Sequence, residues 1–160
     1  MRTPAILMIV ASFLVATPAY ADWQYTRWGM TPDQVAAASG GSVSVGPGDT
    51  GEAYAGATIG AVGTYRAGDF NFRATFHFRD GRLAGVRLRL LSNDLETDAH
   101  RLKNSLQGAY GRPFDETTGL MAITTWHDVS NNNRIDLVMI GNRSTSLRYG
   151  PLRDASAPGL

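Results

Sequence analysis

The chain contains no cysteine. That absence excludes disulfide staples, thiolate zinc sites and a lipid-modified N-terminal cysteine. Lysine is almost missing as well: Lys103 stands alone beside 14 arginines, a bias that reads first as genome composition. Glutamate is limited to Glu52, Glu96 and Glu116, and histidine to His77, His100 and His127. Nor is there an excess of either charge. The 15 basic residues oppose 14 acidic ones, and removing Arg2 with the N-terminal leader leaves 14 of each. Binding nucleic acid by phosphate neutralisation requires a basic excess, so no nucleic-acid partner is expected. The whole chain has 160 residues and is 43% hydrophobic and 18% charged, enough apolar material for one core and too little charge for a disordered chain.

The one long apolar run lies at the start. Arg2 supplies a positive end, Ala5 to Ala16 is nearly unbroken, and Ala19-Tyr20-Ala21 offers small residues where a signal peptidase reads. The run is too short to span a bilayer, and Pro18 interrupts it. The expectation is a signal peptide over 1–21 cleaved after Ala21, a single domain over 22–150 and a flexible tail over 151–160. With no membrane anchor left after cleavage, the mature protein is expected to be periplasmic or secreted. A cysteine-free exported domain fits a bacterial envelope better than a eukaryotic secretory route.

Thr31-Pro32-Asp33-Gln34-Val35 carries a helix start: Thr31 as N-cap, Pro32 at the first position and Gln34 reaching back. Met30 and Val35 form the matching hydrophobic staple, and Gly40-Gly41 stops the helix. A strand is expected around Ala57 to Tyr65. Phe70, Phe72, Ala74, Phe76 and Phe78 then alternate with Asn71, Arg73, Thr75 and His77. The next strand alternates Ala84, Val86, Leu88 and Leu90 against Gly85, Arg87 and Arg89. A three-residue turn of Arg79, Asp80 and Gly81 pairs Phe76 with Ala84, Ala74 with Val86 and Phe72 with Leu88, which keeps both apolar sets on one face. A second helix is read from about Asp94 to Ala109, with Asn93 and Glu96 as its capping pair and Gly111 and Pro113 at its end. Strands over 120–127, 134–140 and 146–149 complete the set. The resulting expectation is an α+β fold: an antiparallel sheet of about six strands with two helices packed on one face, arranged as two α-β-β-β halves.

Gly29-Met30-Thr31 running into Val35, and Tyr110-Gly111-Arg112-Pro113 after the second helix, resemble the helix boundaries of small envelope proteins of the SmpA/BamE type and of the similar two-repeat β-lactamase-inhibitor-protein fold. The resemblance implies an exported, non-enzymatic module that binds another protein. The chain lacks the lipidated cysteine of the outer-membrane assembly lipoproteins.

Several chemistries can be weighed from spacing. Gly46-Pro47-Gly48-Asp49-Thr50-Gly51 has the spaced glycines of a dinucleotide loop, but Pro47 removes an N–H and no helical period follows, so a turn is expected and no cofactor. Asp128 to Asp136 imitates the start of a calcium loop, yet the twelfth position is Met139 where the bidentate Glu should stand, and Asn133 replaces the bend glycine. A polar hairpin connection is expected, and no metal. The histidines lack metal-ligand spacing, no serine sits in a Gly-x-Ser-x-Gly elbow, and all three histidines are read as ordinary exposed ones. No catalytic residue is assigned. Trp23, Tyr25, Trp28 and Trp126 are read as core rather than as a sugar platform.

The positive hint is arginine. In the register above Arg73 faces Arg87 and Asn71 faces Arg89, on the face away from the phenylalanines. Like charges directly opposite cost stability unless an anion or an acidic neighbour offsets them. Arg73, Arg87, Arg89 and Asn71 are therefore the candidate ligand- or partner-binding residues. The function expected is an envelope binding module for a protein partner. A small periplasmic hydrolase and a binder of a small anionic ligand are the alternatives.

Overall fold

The computed structural model describes residues 23–46 and 56–152. The expected signal peptide, residues 47–51 of the glycine-spaced motif and the tail from 153 lie outside the described residues.

The elements run α1 (Pro32–Ala38), β1 (Val43–Val45), β2 (Thr58–Ala67), β3 (Phe70–Arg79), β4 (Arg82–Leu91), α2 (Leu95–Tyr110), β5 (Asp115–Thr117), β6 (Met121–Asp128), β7 (Asn133–Ile140) and β8 (Ser144–Pro151). All eight strands join one antiparallel sheet in the order β1-β2-β3-β4-β8-β7-β6-β5. This corrects the expected fold: the described residues are mostly sheet, with eight strands rather than six and four strands after each helix rather than three. The missed strands are β1 and β5, three residues each at the two edges, too short to show a period of two. The halves meet where β4 pairs with β8, with Leu88 against Leu147 and Arg87 against Arg148.

Local chemistry explains the helix ends. Thr31 accepts from the Gln34 amide, and the Gln34 side chain accepts from the Thr31 amide at 2.9 Å, closing the capping box. At α2 the cap is Asp94, which accepts from the Thr97 amide, not Asn93 as expected. Gly111, at φ 77°, ends α2, and its carbonyl accepts the Trp126 indole N–H at 3.1 Å.

The β3–β4 hairpin corrects the expected turn. Asp80 and Gly81 both have positive φ, 51° and 72°, and Arg79 pairs with Arg82, so the turn has two residues. Ala84 is then bulged: Phe78 faces Leu83, and His77 faces Gly85. The bulge restores the parity that the turn alone would lose. Phe76 faces Val86, Ala74 faces Leu88 and Phe72 faces Leu90, two residues out of the expected register but with the apolar sets still on one face. A second bulge, at Gly60 of β2, sits where a Cβ would lie 2.7 Å from the Phe78 ring.

The core lies on that face. Phe72, Phe76, Val86, Leu88, Ile135 and Leu137 are buried there, with Val35 of α1 and Leu102 and Leu106 of α2 in the same cluster. Trp23 and Trp126 are buried in it, and Tyr25 and Trp28 are partly buried against it, so these aromatics pack as core. Trp23 sits edge-on to Tyr25, Tyr65 and Phe76. Pro151 is not frayed: it closes β8 against Asn133, and the Leu152 amide donates to the Asn132 carbonyl.

Candidate functional site

The opposite face of the sheet holds the chemistry. On β3 it presents Asn71, Arg73, Thr75 and His77, and on β4 Arg87 and Arg89, because side chains alternate along a strand. Of the four expected site residues, the structure sets Arg73 opposite Arg89, whereas the expectation paired Arg73 with Arg87. Arg87 lies opposite Thr75 on one side and Arg148 on the other. Asn71 faces Leu91, not Arg89, and is exposed. The two-residue turn and the bulge at Ala84 each move the β4 partners by one residue, and together they give the two-residue shift from a three-residue turn.

Arg148 continues the row into the second half of the molecule, where it faces Asp136 of β7, and Asp136 faces Thr125 of β6. One row across the sheet thus reads Thr75, Arg87, Arg148, Asp136, Thr125. Asp136 is 9% exposed, and its carboxylate accepts from Thr125 Oγ1 at 2.7 Å and from Arg134 Nε at 3.0 and 3.2 Å. These donors hold the carboxylate in one orientation.

Beside this row lies a cavity of about 390 Å³, bordered by Arg79, Arg87, Arg134 and Arg148 with His77 and Asp136. Its volume is in the range of small-molecule sites. The four arginines come from β3, β4, β7 and β8, so the cavity spans the junction of the halves. Burial, followed by the proximity of Arg148 and Arg89, pulls the Arg87 guanidinium below its ordinary pKa. Arg73 and Arg89 lie on the same face outside the cavity lining.

His77 corrects the expectation of an exposed histidine: it is 3% exposed. Its Nε2 lies 3.2 Å from Thr75 Oγ1, and its Nδ1 is buried without a hydrogen-bond partner. Burial first, and then Arg148, lower its pKa from 6.5, which favours the neutral ring. His100 is exposed, and His127 stacks under Phe114 at a centroid distance of 3.9 Å.

Sequence reasoning missed Arg79, Arg134, Arg148, Asp136 and His77. Each stands at a polar position of a strand, but only the pairing of β4 with β8 brings them together, and nothing local specifies that pairing. The imitation calcium loop is a hairpin connection: Asp128 faces Asn133 across the β6–β7 end and accepts from both the amide and the side chain of Asn131. Among the described residues no group of three or more acidic or histidine side chains is placed to hold a metal ion, and no helix is long and apolar enough to cross a membrane.

No family model and no curated protein matches the chain. It is similar to the crystal structure of a DUF4309 family protein, YjgB, from Bacillus subtilis, with a TM-score of 0.46 and 11% sequence identity over 76% of this chain and 78% of that one. A likeness at that level carries no argument about function.

Proposed function

We propose that the chain is an exported binding module of the cell envelope, and that the open face of its sheet meets the acidic surface of a protein partner. The observation that carries this reading is the row of arginines, Arg73 and Arg89 beside Arg87 and Arg148, on the face opposite the core cluster. Guanidinium groups are the side chains best suited to carboxylate recognition, since their planar forks match both oxygens. Apolar side chains flank them on the same face, including exposed Leu91, Met121 and Ile140. Aliphatic contacts beside charged ones are the usual composition of a protein interface. Export rests on the leader over 1–21.

Cross-linking in the intact envelope tests the reading. The protein should yield a discrete adduct that is lost when Arg73, Arg87 and Arg89 are all exchanged for Ser. An adduct unchanged in that variant would overturn the assignment of the face. N-terminal sequencing of the exported form should begin at Asp22, and recovery of Met1 from the envelope fraction would overturn the leader.

A further inference from the structure

Resting on the reading of the open face as the binding face, we propose that the cavity at the junction of β3, β4, β7 and β8 is a pocket for the oxyanion group of a small molecule, a phosphate or a carboxylate.

The space comes from two glycines. Gly85 of β4 and Gly150 of β8 both border the cavity, each two residues along from the facing pair Arg87 and Arg148. Neither has a positive φ, so the backbone does not require glycine at either place. Their effect is on volume. A Cβ at Gly85 would lie 3.3 Å from the Tyr149 carbonyl oxygen, and one at Gly150 would lie 3.8 Å from that of Ala84, an ordinary contact. A larger residue at 150 therefore fits the strand and fills the cavity. Glycine inside a strand weakens it and marks a place where something approaches the backbone closely.

The walls supply the donors. Each guanidinium carries five N–H donors in a plane, so a partner elsewhere in the molecule leaves capacity for a bound oxyanion. Arg134 is oriented by giving Nε to Asp136, which leaves its terminal nitrogens to face a ligand. The second, independent sign is His77. A buried polar atom without a partner is rare in a native structure, and Nδ1 of this 3%-exposed ring is one. Thr75 Oγ1 lies within hydrogen-bond distance of Nε2, and whichever of the two donates, the protonated ring donates from Nδ1 to an oxyanion oxygen in the cavity.

The probes are inorganic phosphate and malonate, each titrated into the purified full chain by calorimetry while the His77 imidazole is followed by NMR. Saturable binding of at least one anion is expected, with a rise in the His77 pKa on binding, since a neighbouring anion favours the protonated ring. Tighter phosphate binding identifies a phosphoryl ligand, and tighter malonate binding a carboxylate one. Gly150→Val and Arg148→Gln should each weaken binding by about tenfold or more, while Arg112→Ser, at an exposed position outside the cavity, should leave it unchanged. If neither anion binds or moves His77 in the unaltered chain, the pocket is overturned, whatever the variants do. Affinity equal in Gly150→Val would overturn it too. Envelope adducts that depend on Arg73 and Arg89 without anion binding would remove the pocket and keep the binding face. Anion binding without adducts would do the reverse.

Discussion

The two faces of the sheet use the same strands and obey different physics. On the core face Phe72, Phe76, Leu88 and Leu147 gain from burial against almost any apolar neighbour, because the hydrophobic effect is non-directional. On the open face Arg87, Arg148, Asp136 and His77 depend on particular neighbours, because a buried charge or ring nitrogen needs a partner of the right kind at the right distance. The core face therefore tolerates a register error, and the open face does not. A shift of two residues leaves phenylalanine facing aliphatics but exchanges every arginine contact.

That contrast can be broken at several points. The largest effect belongs to the core: Phe76→Ala, at a fully buried site, should lower unfolding free energy by about 3–5 kcal/mol in a urea titration. An open-face residue that rivals it would be Asp136. Asp136→Ala removes the acceptor of Thr125 and Arg134 and should cost about 2 kcal/mol by the same measurement, the charge-assisted hydrogen bonds being the contribution lost. A smaller change, about 1 kcal/mol, is expected for Thr31→Ala, which takes away the α1 cap. Smallest is Arg89→Ser, an exposed position, expected to stay within about 0.5 kcal/mol of the parent. A loss comparable to that of Phe76→Ala there would mean that the open face is structural and not a surface kept for a partner.

pH separates the faces in another way. The folded-state pKa of His77 is depressed below 6.5 by burial and by Arg148, so the unfolded chain binds the proton more readily. The contribution of neutral His77 is present above about pH 6.5 and is lost as pH falls from there through the depressed value. Thermal melts of His77→Gln should show a shallower decline over that range. An unaltered slope would place the buried titration elsewhere.

Features that are local were readable from the residues alone. The capping box at Thr31 and Gln34 involves four consecutive positions, and the alternation along β3 and β4 decides which face meets the core. The hairpin's register was not readable, because a two-residue turn followed by a bulge at Ala84 gives the same parity as a three-residue turn. The edge strands β1 and β5 were too short to have a pattern. For the site, Arg73, Arg87 and Arg89 were legible as a polar-face cluster, but Arg134, Asp136 and Arg148 join it only through the β4–β8 pairing between halves. His77 looked exposed because it alternates with Arg73 and Thr75, yet its ring is buried.

On the proposed reading a partner meets the open face and not the helical side. A photoreactive residue placed at Arg89 on the open face, and in a separate variant at Gln107 on the exposed side of α2, tests it directly in the intact envelope. A discrete adduct is expected from position 89 and none from 107. Adducts from 107 with none from 89 would contradict it.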